Sequence, residues 1–356
     1  VDLTEVWMAT RLAGKDTRFL PFNQGSNGAG RDGGAGNPPN PNGYLTAYLW
    51  EEVFQKDSMM DILQKFMSLQ DGKTLIFPRY HQLDVVCKLV ADVRQKGAGQ
   101  HYLIQHSAGS GKSNSIAWLA HQLTGLEDAQ GNLLVDSVIV VTDRVVLDKQ
   151  IRDTIRQFAQ TRNIIAWAEH SGDLRKAIED GRRIIITTIE KFPYVLPEIG
   201  EDHKDRHFAI IIDEAHSSQN GKTAGTMNMT LSAIMSDPDM DNEDKINAMC
   251  EGKKLLTNAS YFAFTATPKN KTLETFGTAY EDAGVIKHRP FHVYTMKQAI
   301  QEGFILDVLK YYTPIDSYYR LKKRWRMTRC STKRRHRKSS APSSRIRRSP
   351  SRKKPT

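Results

Sequence analysis

One stretch of this chain combines glycine, lysine and serine in a spacing suited to binding phosphate. Residues 106–113 read HSAGSGKS and lie between an apolar run and an amphipathic stretch, so a strand should lead into the loop and a helix should follow it. Glycines let backbone N–H groups converge on phosphate oxygens, and a helix N-terminus adds positive potential. The pattern predicts that Lys112 reaches the β- and γ-phosphates and that the Ser113 hydroxyl binds Mg²⁺.

The loop departs from the strict eight-residue pattern at its first position. His106 stands where that pattern has glycine. The core that follows still predicts a nucleotide-binding loop formed by Gly109, Ser110 and Gly111 together with the lysine and serine after them.

A pair of carboxylates ends a second apolar run. Residues 208–213 read FAIIID, and Glu214 follows directly. The carboxyl ends of parallel strands meet at one edge of a sheet, so this pair should lie beside the phosphate loop. Asp213 is predicted to hold Mg²⁺ through water, and Glu214 to orient and deprotonate the attacking water. Lys112, Asp213 and Glu214 are therefore the predicted catalytic residues.

Two further positions are candidates for contacts around such a site. The side-chain amide of Gln82, upstream of the loop, offers both a donor and an acceptor to adenine. Thr265 and Thr267 end the last apolar run, where their hydroxyls could relay changes at Asp213 to a nucleic acid.

The elements needed to position these residues follow from alternating apolar and amphipathic stretches. Continuously apolar runs predict strands covered on both faces of a parallel sheet, at 102–104, 138–141, 184–186, 208–212 and 261–264. Amphipathic stretches predict crossover helices at 113–123, 147–158 and 174–179. Helices are also predicted at 44–69 and 80–95. The expected fold class is α/β, with a doubly wound and mostly parallel sheet over 73–290.

The N-terminal part contains a second glycine-rich motif. Residues 28–33 read GAGRDG and match GxGxxG, but no apolar strand precedes them and prolines follow. The dinucleotide-binding fingerprint needs a strand before the loop and a helix after it. A structural loop is therefore predicted. An acidic, polar stretch at 236–254 is predicted to be a surface insertion.

Composition limits the class of protein. The 356 residues carry a formal net charge of +11, but 320–356 hold 17 basic and no acidic residues, which leaves residues 1–319 at −6. The longest apolar runs are too short to span a membrane, and the N-terminus lacks the features of a signal peptide, so a cytoplasmic protein is expected. Three separated cysteines predict neither a zinc site nor a disulfide framework.

Together these motifs resemble the superfamily-two helicases, and specifically the restriction (R) subunit of type I restriction-modification enzymes. The resemblance covers roughly residues 1–318. The matching stretches are FNQG (22–25), GAGNP (34–38), RYHQ (79–82), QHSAGSGKS (105–113), TDR (142–144), DEAH (213–216) and TATP (265–268).

The resemblance implies a RecA-like first motor lobe that uses ATP and Mg²⁺ to move along double-stranded DNA. It implies contacts with the DNA backbone from Thr142, Arg144, Thr187, Thr188 and Lys191. His216, with Thr265 and Thr267, would couple the nucleotide site to DNA. The implied partners are the modification (methyltransferase) and specificity subunits of the restriction complex, with no membrane.

The resemblance also implies a division of the chain. Residues 1–22 would end a preceding nuclease domain, 23–72 form a Gly/Pro-rich linker and helix, and 73–290 form the ATP-binding lobe. Residues 291–317 would begin the connection to a second lobe. Residues 1–45 hold no convincing nuclease set, so the nuclease core is expected to be missing, and so is the second lobe. Because an arginine finger from that lobe contributes about 10³–10⁵ to turnover, this polypeptide is expected to bind ATP but hydrolyse it slowly.

The basic C-terminal segment, 318–356, is predicted to be a disordered tail. Residues 325–332 can be encoded so that a one-base shift reads ADDPLFD, which suggests a tail translated out of frame. A disordered arm that binds nucleic acid is the alternative interpretation. For the whole chain two alternatives stay open: another superfamily-two DNA helicase or restriction motor, and a non-catalytic truncated remnant.

Overall fold

The computed structural model describes residues 1–70, 74–142, 155, 165–168, 171–189, 191–192, 199, 203–213, 256–307 and 310. Val1–Ile305 form one compact unit, and Leu306–Thr356 form a second, in which only residues 306, 307 and 310 are described. The predicted boundaries after residues 22, 72, 290 and 317 stay predictions.

The N-terminal part of the first unit is built from short elements. Strands β1 (Trp7–Met8) and β2 (Leu20–Pro21) form an antiparallel pair. Helix α1 (Lys56–Asp61) lies between two π-helical turns, Leu49–Val53 and Ile62–Phe66. Strands β3 (Ser68–Gln70) and β4 (Thr74–Ile76) pair antiparallel.

The predicted helix at 44–69 is therefore wrong in part. Its central region is helical but broken, and its end is strand β3. The apolar residues at 60 and 63 face solvent, at 45% and 49% exposure, whereas Ile62 and Phe66 are fully buried. The π-helical turns shift the register of the side chains, so a regular 3.6-residue period misassigns the buried face.

The strands that follow form a seven-stranded sheet. They are β5 (His101–His106), β6 (Ser137–Thr142), β7 (Ile165–Trp167), β8 (Ile184–Thr188), β9 (Phe208–Asp213), β10 (Ala259–Thr265) and, after the antiparallel hairpin β11 (Thr278–Asp282) and β12 (Val285–Arg289), β13 (His292–Tyr294). Their order is β13-β5-β10-β9-β6-β8-β7, and every neighbouring pair is parallel.

Helices cover both faces of this sheet. They are α2 (Tyr80–Lys96), α3 (Lys112–Leu123), α4 (Ser171–Glu179) and α5 (Asn270–Phe276). Helix α6 (Met296–Gln301) follows β13, and its Gln301 accepts from the Ala35 N–H of the N-terminal part. Strand β6 shows the division most clearly, because Val138 and Val140 pack into the core that contains α2 and α3, whereas Ile139 and Val141 pack into the core that contains α4 and α5. Alternate side chains of a strand point to opposite faces, so a continuously apolar strand serves two cores.

The predicted RecA-like, doubly wound α/β fold is confirmed. All five predicted strands are present, and the helices predicted at 80–95, 113–123 and 174–179 are found within a few residues of those bounds. Strands β7 and β13 were not predicted. The helix at 147–158 (except residue 155), the acidic stretch at 236–254 and the tail lie outside the described residues. Among the described helices, none combines the length and the apolar character needed to cross a membrane.

The glycine-rich motif at 28–33 packs against other parts of the unit. The Gly30 carbonyl accepts from the Val293 N–H at 2.9 Å, the Gly33 carbonyl accepts from Thr295 Oγ1 at 2.9 Å, and the Ala29 carbonyl accepts from Lys88 Nζ at 3.1 Å. Its carbonyls thus bind α2 and the segment around β13. The structure agrees with the prediction of a structural loop.

Candidate phosphate-binding site

The predicted phosphate loop, residues 107–111, runs from the end of β5 to the start of α3. Gly109 and Gly111 have φ angles of +74° and +81°, in the left-handed region that favours glycine. A Cβ atom on Gly111 would lie 2.5 Å from Gln82 Nε2. The backbone conformation therefore favours glycine at position 111, and a side chain there would also displace the Gln82 amide.

Three consecutive carbonyls of the loop bind three residues at the start of α2. Arg79 donates to Gly109 at 3.4 Å, His81 Nε2 donates to Ser110 at 3.0 Å, and Gln82 Nε2 donates to Gly111 at 2.9 Å. The first N–H groups of an α-helix have no partner within the helix. The Ser107 and Ser110 N–H groups donate to backbone carbonyls. The other N–H groups of the loop, with those at the start of α3, suit an anion.

His106 stays within the strand rather than forming part of the turn. It pairs with Tyr294 of β13, and its side chain is fully buried. Only Ala283 among the described non-glycine residues has a positive φ angle, so the backbone at position 106 does not require glycine. The structure explains how this chain accommodates histidine at the first position of the pattern.

Polar groups of the loop lie buried beneath it. Lys112 is 8% exposed, and its Nζ atom lies 3.5 Å from the His106 carbonyl. Within the part of the chain that the structure describes, the hydroxyls of Ser107 and Ser110 are buried without a hydrogen-bond partner. An unsatisfied buried hydroxyl costs free energy, so these groups fit a site that binds a polar ligand.

Asp213 ends β9 at the same edge of the sheet as the loop. Strand β10 separates β9 from β5, with Phe264 aligned to Asp213 and Thr265 aligned to Gln105. Strands are about 4.8 Å apart, so the ends of β5 and β9 lie roughly 10 Å apart. Helix α3, which begins at Lys112, also packs against β9. The geometry thus brings the lysine, Ser113 and Asp213 to one edge, as a shared triphosphate and metal site requires.

A cavity of about 240 Å³ adjoins the loop. Gln82, Gly111 and Asn114 line one part of it, and apolar side chains that include Ile76 and Phe77 line another. Gln82 is 2% exposed, and its Oε1 atom accepts from the Arg79 N–H at 2.9 Å. The amide retains one N–H and one acceptor lone pair for a base.

The predicted DNA contacts divide into buried and half-buried side chains. Thr142 and Thr188 are aligned at the ends of β6 and β8, and the Thr142 hydroxyl lies 3.5 Å from the Thr187 carbonyl. All three threonines are at most 7% exposed. Lys191 is half-buried, and its Nζ atom lies 3.4 Å from the Ala168 carbonyl. These residues share one edge of the sheet, but their role toward DNA stays a prediction.

The predicted coupling residues are described only in part. Thr265 is buried at the end of β10, and Thr267 is exposed just beyond it. Arg144, Glu214 and His216 lie outside the described residues.

Sequence reasoning missed the residues that hold the loop. Arg79 and His81 belong to the RYHQ motif, but the sequence predicted a role only for Gln82. His81 is fully buried and stacks on Tyr294 with a centroid distance of 3.7 Å. Burial lowers the pKa of His81 to about 3, so the imidazole is neutral near pH 7. The polar pattern of RYHQ was the available signal, although it does not show which residue faces the loop.

The parallel sheet, the loop between β5 and α3 and the carboxylate at the end of β9 together define the class of phosphate-loop ATPases. A family profile described as SWI2/SNF2 ATPase matches residues 81–333. Since this match covers more than half of the chain, the chain belongs to the SWI2/SNF2 ATPase family.

Curated relatives are endonuclease subunits of type I restriction enzymes, which confirms the resemblance inferred from the motifs. The C-terminal part of a putative MpnIIP endonuclease subunit from Mycoplasma pneumoniae is 28% identical over 182 residues, 47% of this chain and 84% of the relative. The SauMSSORF170P endonuclease subunit from Staphylococcus aureus is 24% identical over 264 residues, 72% of this chain and 24% of the relative. The chain thus spans about a quarter of the length of the latter relative.

Solved structures include a fragment of a putative HsdR subunit of a type I restriction enzyme from Vibrio vulnificus. It is 16% identical, with a TM-score of 0.38 over 80% of this chain and 41% of the other.

Proposed function

We propose that this chain is the ATP-dependent DNA translocase module of a type I restriction endonuclease R subunit. It binds ATP with Mg²⁺ at the loop between β5 and α3, and it contacts the DNA backbone along the carboxyl edge of the sheet. Its partners are double-stranded DNA and the modification and specificity subunits of the restriction complex. Family membership and the type I relatives support this proposal.

The single observation that carries the proposal is the way α2 holds the loop. Arg79, His81 and Gln82 bind three consecutive carbonyls and so hold these oxygens away from a ligand. The proposal assigns the phosphate groups to the other N–H groups of the loop and to the Lys112 amine. A triphosphate needs such donors, and preorganised donors stabilise charge without reorganising during the reaction. The adjoining cavity, with Gln82 on its wall, suits the adenine base.

Mg²⁺ fits the oxygen donors at this edge. The Ser113 hydroxyl at the start of α3 and the Asp213 carboxylate at the end of β9 are the residues that would hold it, the latter through water. When bound, the ion would neutralise charge on the transferring phosphoryl group. Glu214, the next residue along the chain, is proposed to position the attacking water.

Fluorescent mant-ATP tests the nucleotide site. We expect Mg²⁺ to strengthen mant-ATP binding about tenfold or more in the wild type, a difference of about 1.4 kcal/mol. Asp213→Asn should lose most of this Mg²⁺ dependence. Asp128→Asn, in an exposed turn, is the matched control. Failure of the wild type to bind mant-ATP, or an unchanged Mg²⁺ dependence in Asp213→Asn, would contradict the proposal.

DNA contact needs an assay that the basic tail does not dominate. Since every phosphate contact adds to the salt dependence of binding, we expect Lys191→Ala to weaken duplex binding in the presence of nucleotide and to lower the salt slope by about one. Lys176→Ala, an exposed position on α4, should change neither. Equal effects of the two variants would count against a DNA-facing role for Lys191.

A further inference from the structure

A buried chain of hydrogen bonds runs beneath the phosphate loop from α2 to β5. Asp84 Oδ2 accepts from His292 Nε2 at 2.9 Å, and His292 Nδ1 lies 2.8 Å from His106 Nε2. Both histidines are fully buried. Asp84 also pairs with Lys88, with 2.7 Å between Nζ and Oδ2. These hydrogen bonds join α2, β13 and β5, three elements that are distant in sequence.

The hydrogen bonds determine where the protons lie. Burial raises the pKa of Asp84, but the His292 hydrogen bond and the Lys88 ammonium outweigh it and leave this pKa below its usual value, so the carboxylate is charged. Burial lowers the pKa values of His292 and His106, which are therefore neutral. His292 must donate from Nε2 to the carboxylate, so its Nδ1 accepts from His106 Nε2.

This series of hydrogen bonds ends at His106, the residue directly before the phosphate loop. The backbone of His106 carries the carbonyl near Lys112 Nζ, and the next N–H, that of Ser107, donates to the Tyr294 carbonyl at 3.0 Å. His81, which binds the Ser110 carbonyl, packs edge-on against the His106 ring with centroids 5.4 Å apart. A shift of the His106 ring would therefore disturb both ends of the loop.

We propose that Asp84 and His292 act as positioning residues for the phosphate loop, because they hold His106 in one tautomer and one orientation. The effect should fall on the phosphate groups of the nucleotide rather than on its base, because Asp84, His292 and His106 reach the loop but do not line the cavity beside Gln82. This proposal rests on the proposed nucleotide site and names residues that tune it. It also assigns a role to the histidine that replaces glycine in the motif.

Competition against mant-ADP, with pyrophosphate and with adenosine as separate competitors, tests the proposal. We expect Asp84→Asn, whose amide oxygen still accepts from His292 but carries no charge, to weaken pyrophosphate about five- to tenfold, roughly the difference between a charge-assisted and a neutral hydrogen bond. Adenosine binding should stay unchanged. Asp92→Asn is the matched control, because Asp92 lies on the same helix and accepts from Tyr102 at the opposite end of β5. It should alter neither competitor.

Two substitutions at position 106 separate positioning from packing. His106→Gln keeps an N–H donor near the Nε2 position, whereas His106→Leu removes it. We expect the glutamine variant to retain most pyrophosphate affinity and the leucine variant to lose about as much as Asp84→Asn. The double variant Asp84→Asn/His106→Leu should be no weaker than His106→Leu alone, since residues that act through one chain are not additive.

Several outcomes would overturn the proposal. They are wild-type pyrophosphate affinity in folded Asp84→Asn, additive losses in the double variant, or equal weakening of adenosine and pyrophosphate. If Asp84→Asn melts too low to assay, equal losses in the two His106 variants decide against it. A wild-type chain that binds neither mant-ADP nor pyrophosphate would instead overturn the proposed function, and this inference with it.

Discussion

The two glycine-rich loops of this chain, at 28–33 and at 107–111, differ in where their carbonyls point and in what surrounds them. The first matches a nucleotide-binding pattern in full, yet its carbonyls at positions 29, 30 and 33 bind α2, β13 and Thr295. The second departs from its pattern at His106, yet strand β5 directly precedes it and helix α3 directly follows it.

The difference indicates that glycine spacing alone is a poor predictor of a phosphate site. Glycine permits a left-handed backbone in both loops, as at Gly28 and Gly111. A lysine lies near each loop, since Lys88 Nζ binds the Ala29 carbonyl. Only the second loop leads directly into a helix that begins with a lysine, an arrangement that suits an anion. The elements on either side of a glycine-rich loop therefore decide its chemistry.

Removing the cationic side chain of each loop should give the largest contrast. We expect Lys112→Ala to weaken mant-ATP about a hundredfold or more, as for loss of a preorganised donor to phosphate. Arg31→Ala, in the exposed part of the first loop, should leave mant-ATP affinity unchanged. Comparable losses in both variants would show that the two loops share one function.

Alanine at a left-handed glycine in each loop gives the next contrast. Gly111→Ala would place a Cβ 2.5 Å from Gln82 Nε2, whereas the nearest atom to a Cβ on Gly28 is at 3.9 Å. Both variants should lose about 1–2 kcal/mol of stability from backbone strain. Only Gly111→Ala should also weaken mant-ADP, by about thirtyfold, because Gln82 and the loop must separate. Thermal melts and titrations together check this, and intact binding in Gly111→Ala would contradict it.

The imidazole beneath the second loop should make stability depend on pH. Above pH 6.5 His81 is neutral whether the chain is folded or unfolded. Below that value His81 binds a proton in the unfolded chain, whereas in the folded chain it stays neutral down to about pH 3. Stability should thus fall as the pH falls, by about 1.4 kcal/mol for this residue between pH 7.5 and 5.5.

His81→Phe checks this sign, because it keeps a ring against Tyr294 and removes the titrating group. Urea unfolding at the two pH values should show a smaller loss in the variant than in the wild type. A pH dependence identical to that of the wild type would argue against a neutral, buried His81.

The smallest effect is expected at the base cavity. Gln82→Ala removes the amide that lines the cavity and binds Gly111, so we expect adenosine to bind about fivefold more weakly. Gln298→Ala, whose buried amide lies against Gly25, serves as the control and should bind adenosine normally. Unchanged adenosine binding by Gln82→Ala would indicate that the adenine base binds elsewhere.

Sequence patterns predicted five of the seven strands of the central sheet, because each of these five contains a continuous apolar run and is longer than four residues. Strands β7 and β13 escaped prediction because three residues carry too little periodicity. The helix at 44–69 was misplaced because π-helical turns change the period. Local pattern was thus enough where an element is long and regular.

The candidate site was predictable in its loop and carboxylate, which belong to recognisable motifs. The residues that hold the loop were not, because their partners are distant in sequence. His106 and His292 are 186 residues apart, and Asp84 and His292 are 208 apart. No spacing rule connects such positions, since only the parallel pairing of β13 with β5 brings them together.

That pairing also fixes when the loop can take shape during synthesis. Strand β5 lies between β10 and β13, and Gln100 beside β5 bonds Ser260 of β10 across 160 residues. A ribosome adds about 5–20 residues per second, so roughly 10–40 s pass between the emergence of His106 and that of His292. Until β10 is made, the strand that leads into the candidate phosphate loop has neither neighbour, and until β13 is made it still lacks one. The nascent chain must keep this apolar surface from aggregating during that time.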